Sequence, residues 1–293
     1  MLTHFKTMFK IISKTLLAPN IWEMVVENPR LALKAKAGQF LIVMPEENGE
    51  RIPLTIADFD REKGTITMVI MAVGVTSRKV IALEVGQSLY AMIGPLGQAS
   101  EIDTNFGTVI MVAGGVGTAP IYPIAKAFRE SGVKVISVQG ARNKDLLFWT
   151  DKLASVSDEH IVVTDDGSFG RKALVTEPVK EILETRGSEI GCVYTIGPAI
   201  MMKFTTLTAK PFTQQYPNLK CIASLNTIMI DGTGMCGGCR VKLGDKVKFT
   251  CVDGPEFDAF LIDWNSVMQR QKIYCEQEKC SLNRYIETLD SKQ

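Results

Sequence analysis

Residues 108–120, TVIMVAGGVGTAP, decide the fold, because an apolar run passes through closely spaced glycines into a segment that begins a helix. Downstream, the apolar runs VKVISVQGAR, HIVVTDDG and CVYTIGP alternate with the helix-like segments PIYPIAKAFRESG and ALVTEPVKEILETRG. Strands that alternate with helices form parallel, doubly wound sheets. The sequence therefore predicts an α/β domain over residues 101–215.

Residues 1–100 have a different pattern. Short alternating runs such as IWEMVVE, GQFLIVMP and TITMVIMAV are separated by Gly and Pro, which is typical of a small antiparallel barrel. The basic, faintly amphipathic start over residues 1–17 is compatible with a transit peptide. Alternation in IISKTLLAPNIWEMVVE favours a first β-hairpin instead.

Residues 229–251, MIDGTGMCGGCRVKLGDKVKFTC, place Asp231, Cys236, Cys239 and Cys251 at spacings x4, x2 and x11. Plant-type ferredoxins hold a [2Fe–2S] cluster with C-x4-C-x2-C and a distant fourth Cys. The spacing predicts such a cluster with an aspartate in the first position. The alternating stretch RVKLGDKVKF predicts a hairpin that returns Cys251 to the loop. We assign residues 216–293 to a third domain with a polar helical tail.

Other interpretations of these cysteines remain open at this point. Zinc prefers four tetrahedral N/S ligands, and only one CxxC pair is present; free thiols are a further alternative. Cys221, Cys275 or Cys280 could replace Asp231 as the fourth ligand. Asp231 is favoured because it occupies the loop position, and its harder oxygen donor predicts a more labile site with a shifted potential.

Composition limits the function classes. With 293 residues, 46% of them hydrophobic, the chain can bury two or three cores. A formal charge of +1 argues against nucleic acid or an anionic membrane as the main partner. Seven cysteines, mostly clustered, favour a metal site in a reducing compartment, and we expect a cytoplasmic protein. No run of 18 or more apolar residues occurs, so the sequence predicts no membrane span.

Two segments of the barrel carry a candidate flavin site, ERIPLTIAD and MAVGVTSRKV. Such a site needs a cation for the pyrophosphate, a close backbone and a hydroxyl, and a helix N-terminus can face phosphate. A plain strand and a plain helix cap are the structural alternatives. The candidate residues are Arg51, Pro53, Leu54, Thr55, Gly74, Thr76 and Ser77.

The glycine turn of the α/β domain is a candidate dinucleotide site, since a pyrophosphate can approach backbone N–H groups and the helix N-terminus there. It is not G-x-G-x-x-G, and a tight turn without ligand is the alternative. The candidates at this turn are Gly114, Gly115, Gly117, Thr118, Ala119 and Pro120. The candidates at other strand ends are Gly140, Ala141, Arg142, Asp165, Asp166, Gly197 and Pro198. The two carboxylates favour NAD over NADP, whereas Arg142 favours NADP.

These motifs also carry a resemblance. GQF, RIPLT, GPLG, VAGGVGTAP, GAR, TDDGS and IGP occur in the order typical of the ferredoxin–NADP reductase superfamily. With DGTGMCGGC and a later Cys, the chain resembles the electron-transfer subunit of dihydroorotate dehydrogenase. It resembles still more closely the small subunits of NADH-dependent ferredoxin:NADP oxidoreductases, also called sulfide dehydrogenase subunit beta.

The resemblance implies FAD in the barrel, NAD(H) in the α/β domain, with NADP(H) possible, and a [2Fe–2S] cluster held by Asp231, Cys236, Cys239 and Cys251. It also implies an obligate larger flavin and iron–sulfur subunit that handles NADP(H) and ferredoxin. Two motifs differ from the superfamily. Arg51 lies four residues before Thr55 instead of three, and Ile196 stands where many members have the Cys of Cys-Gly-Pro.

We therefore expect an oxidoreductase subunit that passes electrons among NAD(P)H, FAD and the cluster and on to a larger partner. Whether the complex bifurcates electrons is left open by the sequence. Hydride transfer needs no acid–base side chain, so no catalytic residue is predicted. One alternative is the dihydroorotate dehydrogenase subunit, against which Asp231 counts. Another is a non-catalytic iron–sulfur redox sensor, for which the nucleotide motifs would be superfluous.

Overall fold

The structure, a computed structural model, describes residues 9–291, so residues 1–8 of the possible transit segment lie outside the described residues. Seven strands and two helices build the first part: β1 (Ile11–Ala18), β2 (Ile21–Glu27), α1 (Pro29–Lys34), β3 (Phe40–Met44), β4 (Ile52–Thr55), β5 (Asp58–Asp60), β6 (Thr65–Met71), α2 (Val75–Ala82) and β7 (Ala91–Leu96). All strand pairs here are antiparallel, in the orders β1-β2-β6-β5 and β4-β3-β7. The predicted barrel and its first hairpin are confirmed.

The two sheets enclose one apolar core, because alternate residues of each strand point inward. Met24, Leu41, Ile66 and Met68 are fully buried there. On β3 the alternation sends Leu41 and Val43 into this core, and Phe40 and Ile42 to the opposite face, where a second cluster forms. That outer face of β3 becomes important for the candidate sites.

The second part alternates strands and helices as predicted. Its elements are β8 (Thr108–Gly114), α3 (Thr118–Glu130), β9 (Lys134–Ala141), α4 (Thr150–Ser155), β10 (Glu159–Thr164), β11 (Arg171–Lys172), α5 (Thr176–Arg186), β12 (Ile190–Ile196) and α6 (Ala199–Ala209). Strand β8 is buried along its whole length, as expected of a central strand covered on both faces. The chain leaves β8 for β9 on one side and β12 lies on the other, so the strand order reverses at β8.

The third part continues the same sheet. It comprises β13 (Lys220–Ser224), β14 (Arg240–Leu243), β15 (Lys246–Phe249), α7 (Thr250–Asp253), β16 (Glu256–Asp258), α8 (Trp264–Arg270) and α9 (Cys275–Asp290). Strand β13 pairs parallel to β12 and β16 pairs antiparallel to β13, giving the order β11-β10-β9-β8-β12-β13-β16. The predicted boundary at 215/216 therefore cuts through one sheet, and the division into three domains stays a prediction.

Short 3-10 turns connect these elements at Thr104–Phe106, Gly115–Gly117, Lys144–Leu146, Gly187–Glu189 and Lys210–Gln214. The hairpin predicted for RVKLGDKVKF is confirmed as β14–β15, with Arg240 opposite Phe249. The predicted polar tail forms α9, which carries Cys275 and Cys280. Within residues 9–291, no helix is both long enough and apolar enough to cross a membrane.

A hydrogen bond joins the end of the barrel to β16. The Ser100 hydroxyl donates to Glu256 Oε1 at 2.5 Å. Part of the Glu256 residue reaches solvent, but its carboxylate is surrounded by protein, and a Cβ on Gly38 would lie only 2.8 Å from Oε1. Burial raises the pKa of Glu256 to about 7, although the Ser100 hydrogen bond opposes the shift.

This shift predicts a pH-dependent stability. The folded chain binds the Glu256 proton more tightly than the unfolded chain, so this stabilisation is complete below the ordinary pKa of 4.5 and is lost as the pH rises to about 7. We compare the free energy of unfolding of Glu256→Gln with that of the wild type. Raising the pH from about 5 to about 8 should shift this difference by about 1–3 kcal/mol in favour of the variant, because only the wild type loses a stabilising proton. Urea unfolding at both pH values measures the gain, and a pH-independent difference would contradict it.

Candidate cofactor-binding and iron–sulfur sites

The glycine turn after β8 is packed against the segment after β12. A Cβ on Gly117 would overlap the carbonyl oxygen of Ile196 and lie 3.0 Å from Gly197 Cα. A Cβ on Gly114 would overlap the sulfur of Met201 and lie 3.2 Å from Pro198 Cδ. The structure thus brings together the turn and the Ile-Gly-Pro segment at the point where the strand order reverses, the usual ligand crevice of such sheets.

Helix α3 begins at this turn, and no side chain caps its N-terminus. Its N-cap is Gly117, which offers no side chain, and the first turn carries no acidic residue. The first helical residues, Thr118 and Ala119, are buried, and Pro120 is partly buried. Uncapped N–H groups at the end of a 13-residue helix are suited to hold the pyrophosphate of a dinucleotide.

The neighbouring strand ends lie beside this turn. Gly140 is paired with Gly114, while Asp165 N donates to Ala141 O at 3.0 Å and Asp166 N to Arg142 O at 3.2 Å. The candidates on β9 and β10 are therefore gathered at one edge of the sheet.

The two aspartates after β10 have different roles. Ser168 N donates to Asp166 Oδ1 at 2.9 Å, and the contacts with Ser168 hold the pKa of Asp166 below its usual value. Asp166 therefore closes the loop. Asp165 is exposed, and in the described part of the chain its carboxylate makes neither a hydrogen bond nor an ion pair. Asp165 therefore presents an unengaged carboxylate at this edge of the sheet.

The candidate flavin strand is β4. Pro53 lies opposite Ile42 of β3, and Thr55 lies opposite Phe40. Directly opposed residues of an antiparallel pair share a face of the sheet. Pro53 and Thr55 therefore lie on the outer face, with Leu54 on the other. Arg51 is exposed before β4 and contacts no hydrogen-bond or ion-pair partner in residues 9–291.

The N-terminus of α2 is organised by its own side chains. Ser77 Oγ accepts from Gly74 N at 2.9 Å, which is the plain capping arrangement. The Thr76 hydroxyl donates to Glu50 Oε2 at 2.6 Å, and this ties α2 to the residue just before Arg51.

Sequence reasoning missed Arg78. Its Nε is buried and has no hydrogen-bond partner among the described residues. A buried guanidinium N–H without an acceptor is costly unless a ligand supplies one. Arg78 is next to Ser77, so it can supply the pyrophosphate cation that we assigned to Arg51. The sequence does show an arginine in MAVGVTSRKV, directly after the candidate Ser77.

In the candidate iron–sulfur loop, the first pair of donors is Asp231 and Cys236. Cys236 Sγ lies 2.7 Å from Asp231 Oδ1. Asp231 Oδ2 accepts from Thr233 Oγ1 at 2.7 Å and from Met235 N at 2.9 Å. These contacts, Cys236 first, hold the pKa of Asp231 far below its usual value, so the carboxylate is ionised and suited to a metal.

The second pair is Cys239 and Cys251. Both are buried, and their Sγ atoms lie 3.2 Å apart, too far for a disulfide. The β14–β15 hairpin brings them together, with Thr250 N donating to Cys239 O at 3.1 Å. Burial and the neighbouring Cys239 raise the pKa of Cys251 to about 12, a shift that a bound metal cation would reverse.

Two separate pairs suit two metal ions. Within residues 9–291, no three His, Cys, Asp or Glu side chains gather around one point, as zinc would require. A [2Fe–2S] cluster has two irons, each with its own protein ligands. Gly238 N donates to Cys236 Sγ at 3.4 Å and Cys251 N to Cys239 Sγ at 3.5 Å. Hydrogen bonds to ligand sulfurs shift the reduction potential of a cluster. The donor set therefore fits the cluster.

The other cysteines lie elsewhere. Cys221 is buried on β13 in the core of the seven-stranded sheet, where burial raises its pKa to about 12. Cys275 and Cys280 lie on α9. The structure thus groups Asp231, and not these cysteines, with the loop.

The two candidate sites meet at the outer face of β3. Phe40 and Ile42 pack in one cluster with Met229, Cys239 and Cys251. Pro53 and Thr55 share that face of the sheet, so the candidate flavin strand lies beside the candidate cluster loop. On the far side the loop is open, because Cys236 is exposed and Met235 is 88% exposed. One end of the site faces the barrel and the other faces solvent.

Two family models match the chain. Residues 226–263 match the iron–sulfur cluster binding domain of dihydroorotate dehydrogenase B, and residues 111–206 match the oxidoreductase NAD-binding domain. The homolog of the dihydroorotate dehydrogenase B (NAD(+)) electron transfer subunit from Thermotoga maritima is 42% identical over 279 residues, 95% of this chain and 96% of that protein. The electron transfer subunit from Lysinibacillus sphaericus is 30% identical over 257 residues, 85% of this chain and 95% of that protein.

The chain belongs to the family of dihydroorotate dehydrogenase B electron transfer subunits and their homologues. A solved structure of the NADH-dependent reduced ferredoxin-NADP oxidoreductase contains a chain with a TM-score of 0.88 and 41% identity, covering 95% of this chain and 98% of that one. Phthalate dioxygenase reductase, 19% identical with a TM-score of 0.57 over 80% of this chain and 85% of that one, shares the fold.

Membership in this family confirms the predicted electron-transfer subunit, together with FAD, NAD(H) and a [2Fe–2S] cluster as its cofactors. A non-catalytic sensor is disfavoured, because residues 111–206 match an oxidoreductase domain. An electron-transfer subunit works within a larger complex, so a larger partner subunit is implied. The individual ligand residues above stay predictions.

Proposed function

We propose that this subunit exchanges electrons with NADH and passes them to a larger flavin and iron–sulfur subunit, in a ferredoxin:NAD(P) oxidoreductase. The observation that carries the proposal is the whole-length similarity to a chain of the NADH-dependent reduced ferredoxin-NADP oxidoreductase. Ferredoxin would be reached through the complex, and any electron bifurcation would depend on the partner. Residence in the cytoplasm is part of the proposal, and it follows from the cysteine usage.

The chain's own residues would hold the cofactors as follows. The turn Gly115–Gly117 and the N-terminus of α3 hold the dinucleotide, while β4, the start of α2 and Arg78 hold FAD. Asp231 with Cys236 holds one iron, and Cys239 with Cys251 the other. When bound, the flavin accepts a hydride as an electron pair and the cluster carries electrons singly. The protein contributes orientation and exclusion of water.

Purification of the complex from its native cell tests the proposal. We expect a larger subunit to co-purify, and the complex to exchange electrons among NADH, NADPH and ferredoxin. A complex that oxidises NADH but transfers nothing to or from ferredoxin would contradict the assignment.

A second candidate is the electron-transfer subunit of a dihydroorotate dehydrogenase, favoured by the match of residues 226–263 and by the two named relatives. The resemblance noted above places cysteine where this chain has Asp231, which counts against it. NAD⁺ reduction by dihydroorotate in the purified complex would decide for this candidate.

Asp165 predicts the choice of nucleotide. A carboxylate that accepts from ribose hydroxyls repels a 2′-phosphate. We expect Asp165→Ser to raise the efficiency of NADPH relative to NADH by about tenfold, which is a gain of about 1.4 kcal/mol. Steady-state kinetics with both nucleotides measure the ratio. Asp166→Asn is the matched control, since Asp166 closes the loop, and an equal rise in that variant would contradict the role of Asp165.

A further inference from the structure

The barrel and the nucleotide-binding part meet at a polar and aromatic contact. Trp149 Nε1 donates to Glu23 Oε2 at 2.9 Å, and Lys152 Nζ lies 3.0 Å from Asp58 Oδ2. Glu23 and Asp58 lie on barrel strands β2 and β5, whereas Trp149 and Lys152 lie at the start of α4. Two independent polar contacts therefore link the same short segment to the barrel.

Trp149 is held in an unusual backbone conformation. Its φ is +54°, in the left-handed region that bulky residues rarely adopt. Such a conformation persists only where the surroundings determine it, and it is concentrated at clamps and functional sites. Here Lys152 Nζ lies 3.8 Å from the centre of the Trp149 ring and 4.3 Å from that of Tyr122. The cation thus fixes both rings while it pairs with Asp58.

A chain of hydrogen bonds connects this contact to the dinucleotide turn. Gln139 Nε2 donates to the carbonyl of Phe148, the neighbour of Trp149, at 2.8 Å. The same amide lies 3.3 Å from Thr118 Oγ1, at the first residue of α3. All three residues are nearly or fully buried, so water does not compete for these bonds. A shift of Trp149 would therefore reach Thr118.

The turn also touches the barrel directly. Val116 and Ala119 pack in one apolar cluster with barrel residues Ala18, Ile21 and Val69. Apolar contact without direction allows sliding, whereas the directed bonds of Trp149 and Lys152 fix one orientation. The apolar contacts touch the turn directly at Val116 and Ala119, whereas the directed bonds reach it through Gln139 and Thr118.

We propose that Trp149 and Lys152 are positioning residues that form an interdomain latch, which sets where the dinucleotide turn lies relative to the barrel. The inference rests on the proposed function, in which the nicotinamide must meet a flavin held by the barrel. Misplacement of reacting groups by about 1 Å can cost about a hundredfold in rate. The latch therefore acts on hydride transfer more than on nucleotide affinity.

The test compares the full-length wild type with Trp149→Phe, which removes the donor, and Lys152→Met, which keeps the stem and removes the charge. Glu23→Gln retains an acceptor for Trp149 and is the conservative variant. Arg129→Met is the matched control, because it breaks the Arg129–Asp158 ion pair inside the nucleotide-binding part only. Flavin and iron contents are measured in each variant, so that a misfolded variant is recognised. If one latch variant misfolds, the result for the other latch variant decides the test.

Two quantities are measured: amide hydrogen exchange at residues 116–119 without nucleotide, and flavin bleaching after rapid mixing with NADH. In both latch variants we expect faster exchange and a limiting bleaching rate about ten- to a hundredfold lower, with the NADH Kd changed less than about threefold. Glu23→Gln and Arg129→Met should match the wild type. An unchanged rate or unchanged exchange in the latch variants would overturn the inference. If NADH fails to bleach even the wild type, the proposed function fails, and exchange alone decides whether the latch exists.

Discussion

Replacing Cys251 with alanine is expected to remove the iron–sulfur cluster and to leave reduction of the flavin by NADH intact. Cys251 is buried against Cys239, and the two form one of the donor pairs. Loss of a ligand should cost more than the ten- to hundredfold in metal affinity that outer-sphere changes cost. Iron content, the visible spectrum and transfer to a one-electron acceptor measure the effect, and we expect transfer to fall by at least about a hundredfold.

Two variants control for the loss of a thiol as such. Cys280→Ser changes an exposed cysteine of α9, and Cys221→Ala changes a buried one on β13. Both should keep full iron. Loss of the cluster in Cys221→Ala, together with retention in Cys251→Ala, would contradict the assigned pairs.

Variants of Asp231 test whether Asp231 or Cys221 is the fourth ligand beside Cys236, Cys239 and Cys251. Asp231→Cys should keep a cluster with an altered potential, because thiolate replaces a harder oxygen donor. Asp231→Ala should lose iron. A full cluster with an unchanged spectrum in Asp231→Ala would exclude Asp231 and point to Cys221 as the ligand.

Gly117→Val is expected to abolish use of NADH while the flavin and cluster remain bound. Gly117 has a φ of −59°, which any residue can adopt, so the effect comes from space alone. A side chain there overlaps Ile196 O and would force the turn from the segment after β12. Since about 1 Å of misplacement can cost about a hundredfold, we expect at least that loss in the rate of flavin bleaching.

The control is Gly132→Ala at the opposite end of α3. Gly132 has a φ of +82°, and a Cβ there meets nothing within 4 Å. This variant strains the backbone without touching the turn, so its bleaching rate should stay within about twofold of the wild type. Equal losses in the two variants would show that general destabilisation, not the turn, is responsible.

The element types could be predicted from sequence because they depend on local periodicity. The alternation of IISKTLLAPNIWEMVVE predicted β1 and β2, and the apolar run before Gly114 predicted the central strand β8. The pairing of β13 with β12 could not be predicted. A five-residue strand such as KCIAS carries no mark of the sheet that it joins, and only the packing of the whole chain decides it.

The candidate site residues also divide into those that local sequence predicts and those that depend on packing. Cluster donors lie within one loop and one hairpin, so spacing alone predicted Asp231, Cys236, Cys239 and Cys251 as one set, and the structure adds their division into two pairs. Arg78 was missed because the direction of a helical side chain depends on what packs around it. Trp149 was missed because no sequence pattern marks a positive φ in a tryptophan, which is imposed by contacts with Glu23 and Lys152.

The most direct test of the central claim is an anaerobic NADH titration of the purified chain, followed in the visible spectrum. One flavin that accepts two electrons and one cluster that accepts one should be fully reduced by about 1.5 equivalents of NADH. The flavin bands should disappear and the cluster bands should weaken in the same titration. A colourless preparation without iron and flavin, or flavin bands that NADH does not bleach, would contradict the account.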